Sequence, residues 1–383
     1  MSGPAAPGNS EIAPAIEAFF EYANALGGVN GRKVSLYYQD DQYNPATTVK
    51  VVKQLVQKYN VFALVAGFET TSSQNVEPYL TQRQIPDLFV GSGCNCWSSP
   101  SSSSLTFGFG PSYATQGLII GKIIDKKFPN AKVGVIYQDN SFGTAGLLGL
   151  RQGLGSNRIV ATQSYDTSSL SSGLGEQIQA LKNAGVNLIV SFSIPEATAL
   201  ELIAQNSLGV KITTFTSVNS ADPLTVGNLI NTLSLGKISG PVAVQGIYSL
   251  TFLPTLASQN DPWIRLFTKI HAEYDSSLPL DNYTIYGMSI GYVTLEALLH
   301  SGRNPTRLEI VNWLNKPGST LMGPGLVPLS YAPNNHQGYS GAQLTLIQDG
   351  TSKPLGPIYK INVNGKINVT HSYELPPPKS LLS

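Results

Sequence analysis

The sequence predicts an α/β protein of two doubly wound parallel-sheet lobes, and three observations carry that prediction. Strand-like and helix-like patterns alternate along the first two thirds of the chain, which means a parallel sheet with helices on both faces. The pattern also runs twice. "SLYYQDDQYNP" at 35–45 mirrors "GVIYQDNSFGT" at 134–144, and "VFALVAGFETTSS" mirrors "VNLIVSFSIPEAT"; the repetition is structural rather than strict. Finally, 383 residues with 42% hydrophobic content suit two lobes, each burying a full core.

Each element follows from local chemistry. "EIAPAIEAFFEYANALGG" has apolar residues at helical spacing and stops at Gly27-Gly28. "KVSLYYQDD" reads as a strand, and "PATTVKVVKQLVQKY" as a helix with Pro45 in its first turn. "VFALVAGF" is a continuous apolar run, as a strand buried on both faces requires. "TSSQNVEPYLTQRQ" is a helix entered through Thr and Ser caps, and "IPDLFVGSG" is a strand leading into "CNCW". The second round gives helices in "TQGLIIGKIIDKKF", "FGTAGLLGLRQGLG", "GLGEQIQALKNAG" and "PEATALELIAQNSLG". Its strands are "AKVGVIYQDN", "RIVATQSYD", "VNLIVSFSI" and "KITTFTSV". Beyond about residue 240 the order becomes irregular, with three helices in "DPWIRLFTKIHAEY", "YTIYGMSIGYVTLEALLHSG" and "PTRLEIVNWLNKPG". The tail alternates like a hairpin with turns at "QDG" and "NVNG", and "ELPPPKSLLS" reads as loose.

Composition excludes several functions. Charged residues are 12% of the chain and the net charge is +1, so nothing here attracts nucleic acid by counterion release. No apolar run approaches the ~18 residues of a membrane span. The start "MSGPAAPGNS" has neither a basic nor an apolar leader region. Cys94 and Cys96 are the only cysteines, and a bridge across one residue closes a very tight loop, so free thiols are expected. The four His are scattered, which argues against a metal site, and no cofactor motif is present. No catalytic set emerges: "GLLGLRQGLG" lies in a helix and cannot cradle phosphate, and Asp40-Asp41 reads as a solvated strand end, with Asp139 its counterpart.

In open parallel sheets, ligands bind beyond the carboxyl ends of the strands. The stretches there are "ETTSSQ", "GSGCNCW", "QDNSFG", "SIPE" and "SVNSAD", rich in hydroxyl and amide groups. Thr70, Thr71 and Ser72 stand where a helix begins, and its free amides favour a carboxylate; on this stretch alone, simple capping by Thr and Ser is the stronger reading.

"FFEYANALGGVNGRKVSLYYQDDQYNPATTVKVVKQLV", "PYLTQRQIPDLFVGSG", "VGVIYQDNSFGTAGLLGLRQGLG" and "QIQALKNAGVNLIVSFSIPEATAL" resemble successive blocks of the type I periplasmic binding proteins, the Leu/Ile/Val-binding group. The resemblance runs from residue 2 to about 330. It implies a non-catalytic, monomeric receptor that closes on a small molecule between its lobes and hands it to an ABC permease in the membrane. It places the protein in the periplasm or outside the cell, free or as a lipoprotein. It puts three hinge strands near 107–112, 247–253 and 325–332, a first lobe of 1–109 plus 252–326, and a second of 110–251 plus 327–383. The family opens with an additional strand ending in "SGP", here residues 2–4; a chain starting at Met1 is expected to be less stable than one with that strand restored.

Carried over position by position, the ligand carboxylate falls on the loop around Thr71 and Ser72, and the next strand end contributes Gly93 and Asn95, flanked by Cys94 and Cys96. Trp97 either walls the pocket or packs beneath it. In the second lobe, the family's aromatic closing residue matches Phe142 and a second aromatic position matches Ile194. The acidic residue that pairs with an amino acid's ammonium falls at Val218, and a buried ammonium without a carboxylate is costly. The expected ligand is therefore an aromatic or apolar carboxylate, or a neutral polar head on such a body, rather than an α-amino acid. If an amino acid binds after all, Asp222 or Glu196 must take the acidic role. Tyr248, Phe252 and Tyr286 fit an aromatic wall, the core or a hinge. A ligand-sensing regulator of the same fold, for amides, urea or amino acids, is the alternative.

Overall fold

The computed structural model describes residues 1–101, 104–362, 365–370 and 377. The chain divides into two units. Of the described residues, unit 1 holds Met1–Ser112 and Phe252–Gly341, and unit 2 holds Tyr113–Thr251 and residues from 342 to 370. Residues 327–341, expected in the second lobe, belong to unit 1. They are tied there: the Tyr331 hydroxyl donates to Gly108 O at 2.6 Å, and Tyr339 N donates to Phe109 O at 2.8 Å.

Unit 1 begins with α1 (Ala6–Asn9) and α2 (Ile12–Ala25), followed by α3 (Pro45–Tyr59), β1 (Leu64–Val65), α4 (Thr70–Arg83), β2 (Asp87–Val90) and β3 (Thr106–Gly108). Asn44 caps α3 by accepting from the amides of Ala46 and Thr47, with Pro45 in the first turn. The three strands form one parallel sheet in the order β1-β2-β3. The apolar run 61–68, expected to be one long strand, pairs only over Leu64–Val65. Residues 33–41, also expected as a strand, lie in no sheet. Both shortfalls have one cause: β1 is an edge strand, and among the described residues no strand pairs with its outer side or with 33–41. Val34 is held instead by the Asn24 side chain, which bonds both its N–H and its C=O.

Unit 2 continues with α5 (Tyr113–Lys127), β4 (Val133–Gln138), α6 (Ser141–Leu154), β5 (Ile159–Tyr165), α7 (Gly175–Asn183), β6 (Leu188–Phe192), α8 (Pro195–Ser207), β7 (Thr213–Thr216), α9 (Pro223–Leu233), α10 (Gly240–Ala243) and β8 (Tyr248–Thr251). Three helices then complete unit 1: α11 (Pro262–Tyr274), α12 (Asn282–His300) and α13 (Arg307–Leu314). The tail adds β9 (Gly341–Gln348), β10 (Thr351–Ile361) and β11 (Ile367–Thr370). The "QDG" turn joins β9 to β10, with Asp349 and Gly350 both at positive φ (53° and 75°), as a tight hairpin requires. The core of the "NVNG" turn and nearly all of "ELPPPKSLLS" lie outside the described residues. Eight strands line up as β11-β10-β9-β8-β7-β6-β4-β5; the five from β8 to β5 are parallel, and β9 runs antiparallel to β8.

The glycine-rich stretch 142–155 is α6, and its glycines let it press against α5. A Cβ at Gly149 would stand 2.1 Å from Ala114 O, and one at Gly117 would stand 2.2 Å from Gly146 O. That close approach, not phosphate binding, accounts for the motif.

Candidate functional site

Each unit carries its own set of strand-end residues. In unit 1 they follow β1 and β2. The helix α4 is capped not by Thr or Ser but by Glu69, whose backbone sits at φ 81°. Thr71 N donates to Glu69 Oε1 at 2.9 Å and Ser72 N donates to Oε2 at 2.6 Å. The two amides expected to meet a ligand carboxylate thus already hold one, the protein's own. The Thr70 hydroxyl is buried against Ser92 Oγ at 2.7 Å. Ser72 Oγ accepts from Thr48 Oγ1 at 3.0 Å, and that hydroxyl also bonds Asp41 Oδ2 at 2.7 Å. Of the three hydroxyls, only that of Thr71 faces outward.

After β2 the chain passes Gly93, which is buried, into a 3-10 turn over Asn95–Ser98. Cys94 and Cys96 are joined by a disulfide, which corrects the expectation of free thiols. The turn curls the chain so that their Cα atoms lie 5.1 Å apart, within bridging range, although one residue separates them. The bridge leaves Asn95 exposed at its apex. The loop is linked to α4, because Cys94 N donates to Ser92 Oγ, the partner of Thr70. Trp97 packs beneath the loop: it is 2% exposed, and its Nε1 donates to Ser92 O at 3.3 Å. Phe252 and Tyr286 also belong to a packed cluster of unit 1, both meeting Phe109 edge to face.

In unit 2, Phe142, Ile194 and Val218 follow β4, β6 and β7, three adjacent strands, so the fold brings them to one end of the sheet. Phe142 is buried against Tyr113, with ring centroids 4.6 Å apart. Ile194 N donates to the Tyr165 hydroxyl at 3.0 Å, which adds Tyr165, at the end of β5, to this cluster. Val218 N donates to Gln116 Oε1 at 3.4 Å. Asp222 caps α9, accepting from Thr225 N at 2.7 Å. Glu196, in the first turn of α8, is half-buried, and burial pushes its carboxyl above the ordinary range. Tyr248 is not part of this group. It opens β8, stacked on Phe215 at 4.7 Å and edge-on to Phe128, the residue just past the far end of α5.

Sequence reasoning missed Glu69 and Tyr165. An acidic residue directly before a Thr/Ser-rich helix start was a visible signal for Glu69, but its left-handed backbone was not. Among the described residues, no helix is long and apolar enough to cross a membrane.

The profile of the periplasmic binding protein family matches residues 1–351, and the chain belongs to that family. It is 24% identical over 344 residues to the Leu/Ile/Val-binding protein homolog 2 of Brucella abortus, covering 84% of this chain and 82% of that one. Among solved structures, a branched chain amino acid ABC transporter protein from Thermus thermophilus with bound valine superposes with a TM-score of 0.78 at 21% identity, covering 94% of each chain. A solute binding protein of an ABC transporter from Rhodopseudomonas palustris, in complex with 3,4-dihydroxy benzoic acid, gives 0.75 at 16% identity, covering 94% of this chain and 95% of that one.

Proposed function

We propose that this protein captures a small carboxylate with an aromatic or apolar body and passes it, unchanged, to an ABC permease. The observation that carries the reading is Glu69, a carboxylate bonded to the amides of Thr71 and Ser72. It acts as an internal stand-in for the ligand's head group, since an anion at a helix start is favoured by unpaired N–H groups and the helix dipole. Thr71 and Asn95, both outward-facing, complete the polar contacts in unit 1. In unit 2 the strand-end residues Phe142 and Ile194 are apolar and buried, and the Phe142 side chain has no hydrogen-bonding group. Val218 offers no charge to an ammonium. Of the similar solved structures, one holds 3,4-dihydroxy benzoic acid, which is of the proposed class, and another holds valine, which carries the ammonium that this reading excludes. On this reading a carboxylate ligand must displace Glu69, so Glu69 weakens and selects.

The test is calorimetric titration of the chain and of Glu69→Ala with benzoate, hydroxybenzoate, short aliphatic acids, the branched-chain amino acids, amides and urea. Aromatic or aliphatic acids should bind, amino acids should not, and Glu69→Ala should tighten the acids about tenfold, the equivalent of ~1.4 kcal/mol. Binding of leucine, isoleucine or valine would overturn the ligand class and assign the ammonium to Glu196. Binding of amides or urea alone would replace transport with sensing.

A further inference from the structure

The strand β2, "DLFV", opens on a charge in an otherwise apolar run. Asp87 is 1% exposed, and neither of its carboxyl oxygens has a partner among the described residues. Its backbone is tied into the sheet, with Asp87 N donating to Leu105 O at 2.9 Å. A buried carboxylate with neither a donor nor a counter-charge is costly, and such a group calls for a ligand or a proton. The charge that acts on Asp87 is another carboxylate, Glu77 on α4, so the surroundings add to the negative charge instead of cancelling it.

The oxygens here converge on one point. A Cβ on Gly67 would lie 3.4 Å from Asp87 Oδ1 and 3.9 Å from both Asp87 Oδ2 and Ser73 Oγ, and these three oxygens are the atoms nearest to it. Gly67 is not at a positive φ, so its backbone does not demand glycine, and what the missing side chain leaves is space. The Ser73 hydroxyl already donates to Glu69 O at 2.8 Å, so it has only lone pairs to offer that space. The donors close by are committed as well. Thr106 N, in register with Asp87, donates to Ser104 Oγ at 3.4 Å, and that hydroxyl donates to Glu77 Oε1 at 2.7 Å. Three acceptors without a donor suit a positive ion, whereas a water would leave the buried charge uncompensated.

We propose that Asp87, Ser73 and the space beside Gly67 form a binding site for one small monovalent cation, with sodium as its occupant. Oxygen donors without nitrogen or sulfur select a hard ion over zinc or copper. The single carboxylate that faces the space matches a single positive charge, and calcium would require about six to eight oxygens. The space admits a methyl group in ordinary contact, and a sodium ion is smaller than that. Bound there, the ion ties β2 to α4. Ser73 is one hydrogen bond from Glu69, the cap of α4, so the ion braces the base of the strand-end loop. The site is separate from the ligand capture proposed above and does not depend on it.

The experiment measures Tm of the full chain at about pH 8 in sodium chloride and in choline chloride of equal ionic strength, so that screening is the same. Sodium should raise Tm by about 3 °C, because it binds the folded state. Asp87→Asn should abolish the rise, and in choline chloride it should melt higher than the unaltered chain, since the bare charge is gone. Gly67→Ala should also abolish the rise while melting like the unaltered chain in choline chloride, because its methyl group makes only ordinary contacts. Burial and Glu77 push the Asp87 carboxyl up to about 7, so at about pH 5 a proton takes the ion's place and the rise should vanish without any substitution. Sodium NMR line broadening, present with the unaltered chain and lost with Asp87→Asn, reads the binding directly. Equal Tm in the two salts, absent broadening, or a rise that survives in either variant overturns the proposal. A larger rise with calcium chloride than with sodium chloride overturns the assignment to a monovalent ion.

Discussion

The two units run the same alternation of strand and helix, yet unit 2 closes an eight-strand sheet while unit 1 keeps three short strands beside an apolar cavity. Parallel pairing explains the contrast. In unit 2 each of β4, β6 and β7 has neighbours on both sides, and the side chains above and below are locked into helices. In unit 1 the equally apolar run 61–68 pairs on one side only and shortens to two residues. A strand's length is thus decided by its neighbours as much as by its own residues. The two units should consequently answer added volume in opposite ways.

The largest effect is expected where unit 2 is tightest. Gly149 on α6 faces Ala114 O on α5, and a Cβ there would stand 2.1 Å from that oxygen. Backbone cannot give way as a side-chain tip can, so Gly149→Leu should cost about 3 kcal/mol or more. Gly175 on α7, with nothing near its missing Cβ, is the control, and Gly175→Ala should be close to neutral. Urea denaturation of both variants checks this. Equal stability would mean that the helices are not in close contact.

Charge burial gives the next effect. Glu201 in unit 2 is fully buried, and burial pushes its carboxyl up to about 7 against the hydrogen bonds from Ser191, Gln205 and Thr214. Asp87 in unit 1 is also pushed up to about 7, by burial and by the nearby Glu77. A raised folded-state value means the folded protein holds the proton longer than the unfolded chain. The stability each group supplies is therefore complete below its ordinary value, near pH 4, and is lost as pH rises through about 7. Glu201→Gln should remove a pH-dependent loss on the order of 3 kcal/mol between pH 5 and 8. Asp87→Asn should do the same in unit 1 and also raise stability at pH 8, because neither oxygen of Asp87 has a partner among the described residues. Denaturation at several pH values reads both, and an unchanged slope in Glu201→Gln would show that Glu201 titrates normally.

Several helices were legible because they carry their own start signals. Pro45 with Asn44, Asp261 before Pro262, and Thr306 with Glu309 in a capping box mark where helices begin, whatever surrounds them. The central strands of unit 2 were legible for the same reason that they are buried: "LIVSF" is buried at every position and "VGVIYQ" at all but Tyr137. Residues 33–41 misled because alternation states which faces a strand would have, not whether a neighbour exists to pair with it. In the candidate site, Phe142, Ile194 and Val218 were placed together by topology alone, since all three follow adjacent parallel strands. Tyr248, for which wall, core and hinge were all open, stands apart from these three because it opens its strand rather than ends it. The disulfide and the Glu69 cap depend on backbone angles at single residues, which composition does not encode.

The smallest expected effect is also the one with the opposite sign, and it comes from the loose side of the comparison. Ala63 lines the cavity in unit 1, beside the two paired residues of β1. Ala63→Val adds two methyl-sized groups beside the cavity that Ala63 lines, and its branched Cβ suits an extended backbone. Nothing needs to move to admit it. The gain should be about 1 kcal/mol, from apolar surface removed from water at roughly 25 cal/mol per Å². The same enlargement on α6 is expected to be strongly unfavourable, so the pair of variants separates a packed unit from one with room to spare. A loss of stability in Ala63→Val, measured by urea denaturation beside Gly149→Leu, would mean that the walls of the cavity close in solution. The contrast between the two units would then rest on Gly149 alone.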